Sequence, residues 1–203
     1  MTMSPETAIA ADGSNPEPIR ILRVIARLNV GGPAVHVALL TSHLGPPDHQ
    51  SMLVCGAVER DEGDMQYFAE ALGVRPILLP HLGRSIHLLR DLRTTWQLLR
   101  ILRQFRPHVV HTHTAKAGFV GRLAARLAGV PVIVHTFHGH VFHSYFSRRK
   151  TGLFRWIERM AAKRSDAIVT LTDGLLAELA DRYRIAPRAK FRVIPLGLDL
   201  AAF

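Results

Sequence analysis

Three short segments carry the residues best able to do chemistry. They are Asn29-Val30-Gly31-Gly32-Pro33, His113-Thr114-Ala115-Lys116-Ala117-Gly118 and Phe137-His138-Gly139-His140. A glycine pair at a helix start lets backbone approach a ligand closely, and the unpaired N–H groups there attract phosphate. The pattern is neither G-x-G-x-x-G nor G-x-x-x-x-G-K-[ST], so dinucleotide and P-loop NTPase readings are weak. A plain strand-to-helix turn is the alternative. Of 12 histidines, seven fall from His108 to His143. Three explanations stand open for them: a metal site; packing, which suits His108, His111 and His135 within strands; and polar contact with sugar or phosphate, which suits His113, His138 and His140. No Asp or Glu lies between Asp91 and Glu158. A hydrolytic metal centre and a glycosidase carboxylate pair both want such acids. Cys55 is the sole cysteine, so a Cys-based zinc site is excluded, and no G-x-S-x-G elbow is present. What remains is imidazole, the cationic Lys116 and glycine backbone at Gly139, groups that hold anions or a departing phosphate.

These segments need elements to position them. Apolar runs predict strands at Ile21–Leu28, Ser51–Cys55, Pro76–Leu79, His108–Thr112, Val132–Thr136, Ala167–Leu171 and Phe191–Pro195. Helical patterns fill the gaps at Pro33–Leu44, Asp64–Leu72, Ile86–Phe105, Ala115–Ala128, Thr151–Arg164 and Gly174–Tyr183. Runs such as VIVHT are apolar on both faces, as in a parallel sheet covered on both sides. The alternation predicts an α/β, doubly wound, Rossmann-like sheet of about seven strands. Such sheets bind ligands beyond the carboxyl ends of their strands, where all three segments fall.

Hydrophobic residues make up 48% of the 203 and charged residues 21%, a globular composition. Residues 1–19 mix Pro, Ala, Ser, Gly and acids without period and predict a disordered tail. They offer neither the basic start nor the apolar run of a secretory signal, so the expected location is the cytoplasm. All 26 Lys and Arg lie at or after Arg20, against 13 acids there, and such a surface attracts anions. Phe142, Phe146, Arg148, Arg149, Lys150 and Trp156 form a basic-aromatic stretch suited to an anionic membrane surface. Within Ile86–Phe105 an apolar stripe of Leu88, Leu92, Trp96 and Leu99 predicts an amphipathic helix packed on the sheet. Glu62 and Glu70, seven residues apart in the intervening count, read as a solvated helix face.

Taken in order, RVIARLNVGGPAVHVALLTSHL, HVVHTHTAKAGFVGRLAARLAGVPVIVHTFHGHVF, RSDAIVTLTDGLLAEL and FRVIPLGLDLAAF resemble the N-terminal half of a family 4 glycosyltransferase of the GT-B fold. HTHTAKAG and HTFHGH are similar to enzymes that build capsular, exopolysaccharide or lipid-linked oligosaccharide chains. The resemblance runs from Arg20 to the end. It implies a retaining transferase that uses a nucleotide sugar, needs no metal or other cofactor, and takes a glycan or polyprenyl-diphosphate-linked acceptor at the inner membrane surface. Gly31 and Gly32 match the loop approaching the donor diphosphate. His138 matches the catalytic-site histidine beside the transferred sugar, and Thr136 matches a position that contacts acceptor. Many members carry Glu just after the glycine pair, where this chain has Ala34 and Val35. Residues 20–197 then form the N-terminal domain and 198–203 begin the interdomain linker. The donor-binding domain with its E-x7-E motif is expected to lie beyond, and this chain alone is expected to transfer little. A sugar-nucleotide epimerase fragment, or a basic module for acidic lipid or nucleic acid, are the alternatives; nucleic acid is not the expected partner.

Overall fold

A computed structural model of the chain describes residues 17–59, 61–83, 87–139 and 148–197, with backbone alone at 148–150. The tail up to residue 16, His140, Phe142, Phe146 and the linker 198–203 lie outside the described residues. Seven strands, β1 (Ile19–Ile25), β2 (His49–Cys55), β3 (Ile77–Leu78), β4 (Val109–His113), β5 (Val132–Phe137), β6 (Ala167–Thr170) and β7 (Phe191–Val193), form one sheet. Their order is β3-β2-β1-β4-β5-β6-β7, and every pairing is parallel. The order reverses between β1 and β4, the point at which such sheets hold ligands.

The helices are α1 (Gly32–His43), α2 (Gln66–Ala71), α3 (Leu88–Phe105), α4 (Ala115–Leu127), α5 (Arg148–Lys163) and α6 (Asp173–Ala177). Their starts and stops follow local chemistry. Pro33 sits in the first turn of α1, where its missing N–H costs nothing. Gly129, at φ 70°, ends α4. Thr172 caps α6, its Oγ1 accepting the N–H of Leu175 at 3.1 Å. The expected last helix is shorter than its pattern, because α6 passes into a π turn over Glu178–Arg182. The sheet also starts earlier than expected: β1 begins at Ile19, inside the stretch assigned to the tail. Asp48 O receives the N–H of Ile19 at 2.9 Å, which recruits that residue to the edge of the ladder.

Of three buried apolar clusters among the described residues, the two around β1 lie on opposite faces of the sheet. Leu22, Val24, Val110 and Ile133 pack with Leu98 and Leu102 of α3 and Val120 and Ala124 of α4. Ile25, Leu53 and Cys55 pack with Val37 and Ala38 of α1 and Ala69 of α2. Each buried Leu, Ile or Val side chain contributes about 1.5–3 kcal/mol through area removed from water. Close approach of α4 to the sheet needs glycine: a Cβ on Gly118 would meet His135 Cε1 at 2.5 Å, and one on Gly121 would meet Thr112 Cγ2 at 2.6 Å. Among the described residues no helix is long and apolar enough to cross a membrane.

The expected apolar stripe of α3 is overturned. The residues seated on the sheet are Thr94, Leu98 and Leu102. Leu88, Leu92 and Trp96 are 76%, 58% and 57% exposed and face solvent. The helix carries two stripes of helical period, and the one that reaches Ile101 and Phe105 of the core wins the sheet. Glu62 likewise leaves its assigned place. It lies in the loop before α2 and pairs with Arg27, while Glu70 accepts from Gln66 within α2 at 2.8 Å.

Candidate functional site

The loops after β1, β4 and β5 meet at the carboxyl edge of the sheet. The loop after β1 is braced from below: Val30 N–H donates to Gly63 O at 3.0 Å and Met65 N–H to Leu28 O at 2.8 Å. Gly31 then adopts φ 155°, ψ 164° as the N-cap of α1, a conformation that side chains rarely enter. Gly32 is exposed, and a Cβ there would approach only Leu196 Cδ1, at 4.0 Å, so its demand for glycine is not steric within this chain. The N-terminus of α1 has no side-chain cap and no acidic residue in its first turn. The same holds for α4, whose N-cap is Thr114. Both helices therefore direct partial positive charge at this edge, with no acid of their own first turns against it.

Thr114 is the most strained point. Its φ 65°, ψ 158° lies in a region nearly reserved for glycine, at a cost of about 1–3 kcal/mol. Its hydroxyl accepts the N–H of Ala26 at 3.3 Å, tying α4 to the end of β1.

Beneath α1 the sheet presents a run of imidazoles. His111 and His113 of β4 point to that face with ring centroids 4.2 Å apart. His36 of α1 and His138 meet edge to face at 5.3 Å. His113 Nδ1 lies 3.0 Å from His138 Nε2, and His111 Nε2 lies 2.7 Å from Thr136 Oγ1. Arg23 of β1 reaches into the same face at 1% exposure. Among the described residues its guanidinium donates to Ser51 Oγ at 2.9 Å and faces no carboxylate. Burial lowers Arg23 only to about 10, so it stays cationic at neutral pH. Burial first, and the Arg23 charge next, push His111 to about 3 and also lower His36. Burial, then the neighbouring His36, takes His138 to about 4; burial and the surrounding imidazoles hold His113 well below its ordinary value. At neutral pH the four rings are uncharged.

Neutrality couples two tautomers. One nitrogen of the His113–His138 contact donates and the other accepts. When His113 donates, His138 carries its proton on Nδ1; when His113 accepts, His138 Nδ1 is a bare acceptor. His138 Nδ1 is buried and has no hydrogen-bond partner among the described residues.

The structure thus brings Gly31, Gly32, His113, Lys116, Thr136, His138 and Gly139 to one edge, but in two layers. His138 and the exposed Gly139, at φ 145°, form the outer layer with the glycine loop. His113 and Thr136 are fully buried and act behind it, the first on His138 and the second on His111. Lys116 is held by Asp91 of α3 at 2.8 Å. Of the basic-aromatic stretch, Trp156 is described and 59% exposed; Arg148, Arg149 and Lys150 form the first turn of α5. His111 and His135 are packed within strands as expected, His135 Nδ1 lying 2.8 Å from Thr112 Oγ1. Sequence reading missed Arg23, His36 and Thr114. The strand period of two puts Arg23 on the face of Ile25, against α1, and Pro33 at the helix start puts His36 in the first turns above it. Among the described residues no three His, Cys, Asp or Glu side chains are grouped to hold a metal ion.

Comparison with known proteins bears on what this edge serves. The model of glycosyltransferase family 4 matches residues 30–202. The chain belongs to glycosyltransferase family 4. A curated relative, the Escherichia coli UDP-Gal:alpha-D-GlcNAc-diphosphoundecaprenol alpha-1,3-galactosyltransferase, is 37% identical over 130 residues, which are 64% of this chain and 33% of that enzyme. The chain therefore spans about a third of that relative's length. Among solved structures, a glycosyltransferase from Rickettsia africae superposes with a TM-score of 0.65 at 17% identity, over 89% of this chain and 44% of the other. A Listeria monocytogenes structure described as a putative UDP-N-acetylglucosamine 2-epimerase gives 0.63 at 17% identity, over 87% and 45%. These likenesses show the Rossmann-like GT-B fold.

Proposed function

We propose that this chain is the acceptor-side half of a retaining glycosyltransferase, one that moves a sugar from a nucleotide-sugar donor to a lipid-linked or polysaccharide acceptor. The acceptor class is argued from the E. coli relative, whose name specifies a diphosphoundecaprenol-linked sugar. The observation that carries the reading is the two-layer edge itself. A half-buried, neutral His138 stands on a tautomer-setting His113, beside two helix N-termini without acids. In sugar transfer, negative charge grows on the departing diphosphate. The α1 and α4 N-termini and the buried Arg23 charge are placed to offset it, and His138 can exchange a hydrogen bond with a hydroxyl at the reacting sugar. Neither helix holds a carboxylate in its first turn. Location in the cytoplasm, peripheral to the inner membrane face, and independence of metal belong to the same proposal.

The test is ligand binding by the 203-residue chain. A short polyprenyl-diphosphate N-acetylhexosamine is titrated calorimetrically against the parent and His138→Ala. The expected result is at least a tenfold loss of affinity in the variant; unchanged binding sinks the site assignment. Transfer by these 203 residues is expected to be slight, because they match about a third of the E. coli relative, and rapid transfer would refute that division of labour. Epimerisation of a UDP-sugar, followed by NMR, separates the epimerase reading. Salt-steep binding of nucleic acid that ignores nucleotide sugar would instead favour a basic binding module.

A further inference from the structure

We infer that the solvent face of α3 docks on an anionic lipid bilayer. This deepens the lipid-linked acceptor reading by naming the surface that meets the membrane. Leu88 and Leu89 are 76% and 81% exposed, and Leu92 and Trp96 are each more than half exposed. They recur at helical spacing on one side of the N-terminal half of the helix, with the core-facing Thr94, Leu98 and Leu102 on the other. Arg93 and Arg100 flank the stripe, and the Arg100 guanidinium lies 4.7 Å from the centroid of the Trp96 ring. Leucines with an indole and guanidinium groups match the boundary between headgroup and acyl chain. An indole prefers that depth, and basic groups beside it are drawn to an anionic leaflet.

The charge of α3 and of the next two helices of its layer selects the occupant. Helices α3, α4 and α5 together hold 13 Lys and Arg against two acids. Both acids are already engaged: Asp91 with Lys116 and Glu158 with Arg122, each at 2.8 Å. Helices α1 and α2 on the opposite face hold no Lys or Arg and one acid, Glu70. A second copy of this face would bring arginine against arginine, so self-association is disfavoured. An anionic sheet of lipid satisfies the arginines and the leucines at once. The geometry also suits the chemistry. Because β3 and β4 are parallel, α3 starts at the carboxyl edge, and Asp91 ties its first turns to Lys116 beside the β4 loop. Docking along the N-terminal half of α3 therefore brings the His138 edge to the membrane border.

The test uses the 203-residue chain and vesicles without sugar donor or acceptor, so its outcome is independent of the transferase reading. Vesicles of phosphatidylcholine with about a third phosphatidylglycerol are compared with pure phosphatidylcholine by co-sedimentation. We expect at least tenfold tighter binding to the anionic vesicles. Leu89→Ser with Leu92→Ser, and separately Arg93→Glu with Arg100→Glu, should each reduce it at least tenfold while the thermal midpoint moves little, since all four side chains lie on the outer side of the helix. In a Trp156→Phe background, Trp96 emission should shift to the blue on anionic vesicles. The inference is overturned if the parent ignores anionic vesicles, or if both double variants bind them as the parent does. It is equally overturned if light scattering finds a dimer that the leucine variant dissolves, which would make this face a self-interface.

Discussion

Each face of the sheet buries an arginine, and the two are treated differently. On the α3–α4 face, Arg122 is fully buried but answered: Glu158 accepts at 2.8 Å and Gly118 O at 2.7 Å. On the α1 face, Arg23 has a serine hydroxyl and imidazoles around it, and no acid among the described residues. A buried charge without a counter-charge is expensive, so its persistence signals a task other than cohesion. The Arg122 pair fastens α4 to α5. Arg23 instead keeps net positive potential under the edge and adds to the burial that holds His111 and His36 neutral. The lesson is that one sheet separates a face that holds the molecule together from a face that holds a site ready.

Acid should break the second face first, and this is the largest effect expected. In the unfolded chain these histidines protonate near 6.5, while in the folded chain His111 and His138 wait until about 3 and 4. The unfolded state therefore binds more protons as pH falls below 6.5, so the stability is complete above that value and is lost on descent. Between pH 6.5 and about 4.5 each of the two withdraws about 2–3 kcal/mol. Denaturant titrations across that range should show the decline, with amide exchange in α1 accelerating before that in α4. Next comes Glu158→Ala, which strands Arg122 and should cost about 3–5 kcal/mol by chemical denaturation. Arg23→Met draws the contrast more sharply. It should leave stability within about 1 kcal/mol of the parent or raise it, since a similar apolar chain replaces an unanswered charge. NMR titration should show His111 and His36 protonating at higher pH, because the Arg23 charge no longer opposes them. A loss as large as that of Glu158→Ala would erase the distinction between the faces. Smallest is Thr114→Gly: relief of the strained backbone exceeds the lost bond to Ala26 N–H, for a gain of about 1 kcal/mol in the same denaturation.

Much of this was legible in the sequence, for identifiable reasons. Strands apolar on both faces announce a covered parallel sheet, and Pro33, Gly129 and Asp173-Gly174 mark helix ends through backbone chemistry that acts locally. The three loops fall at the carboxyl edge because a parallel sheet leaves them no other place. What failed was whatever only the neighbours decide. The stripes of α3 are equally periodic, and only contact with Leu22 and Val110 of the sheet selects Leu98 and Leu102 over Leu92 and Trp96. His113 reads as a loop residue beside Thr114, yet pairing of β4 with β5 runs through His113 and Thr136 and closes over both. Arg23 reads as a polar strand position; its burial follows from β1 being flanked by β2 and β4. Thr114 gives no warning, because a β-branched residue argues against the backbone it adopts.

The uneven sharing of charge between the two helical layers has a consequence in flight. With its cationic excess on α3–α5 and almost none on α1–α2, the domain is an electric dipole across its own sheet. Within a Debye length of a negatively charged surface, about 8 Å at physiological ionic strength, that dipole feels a torque before any atoms touch. Collisions arrive already oriented, three-helix layer first. Raising the salt should slow productive arrival more than it alters the spectrum of orientations once landed.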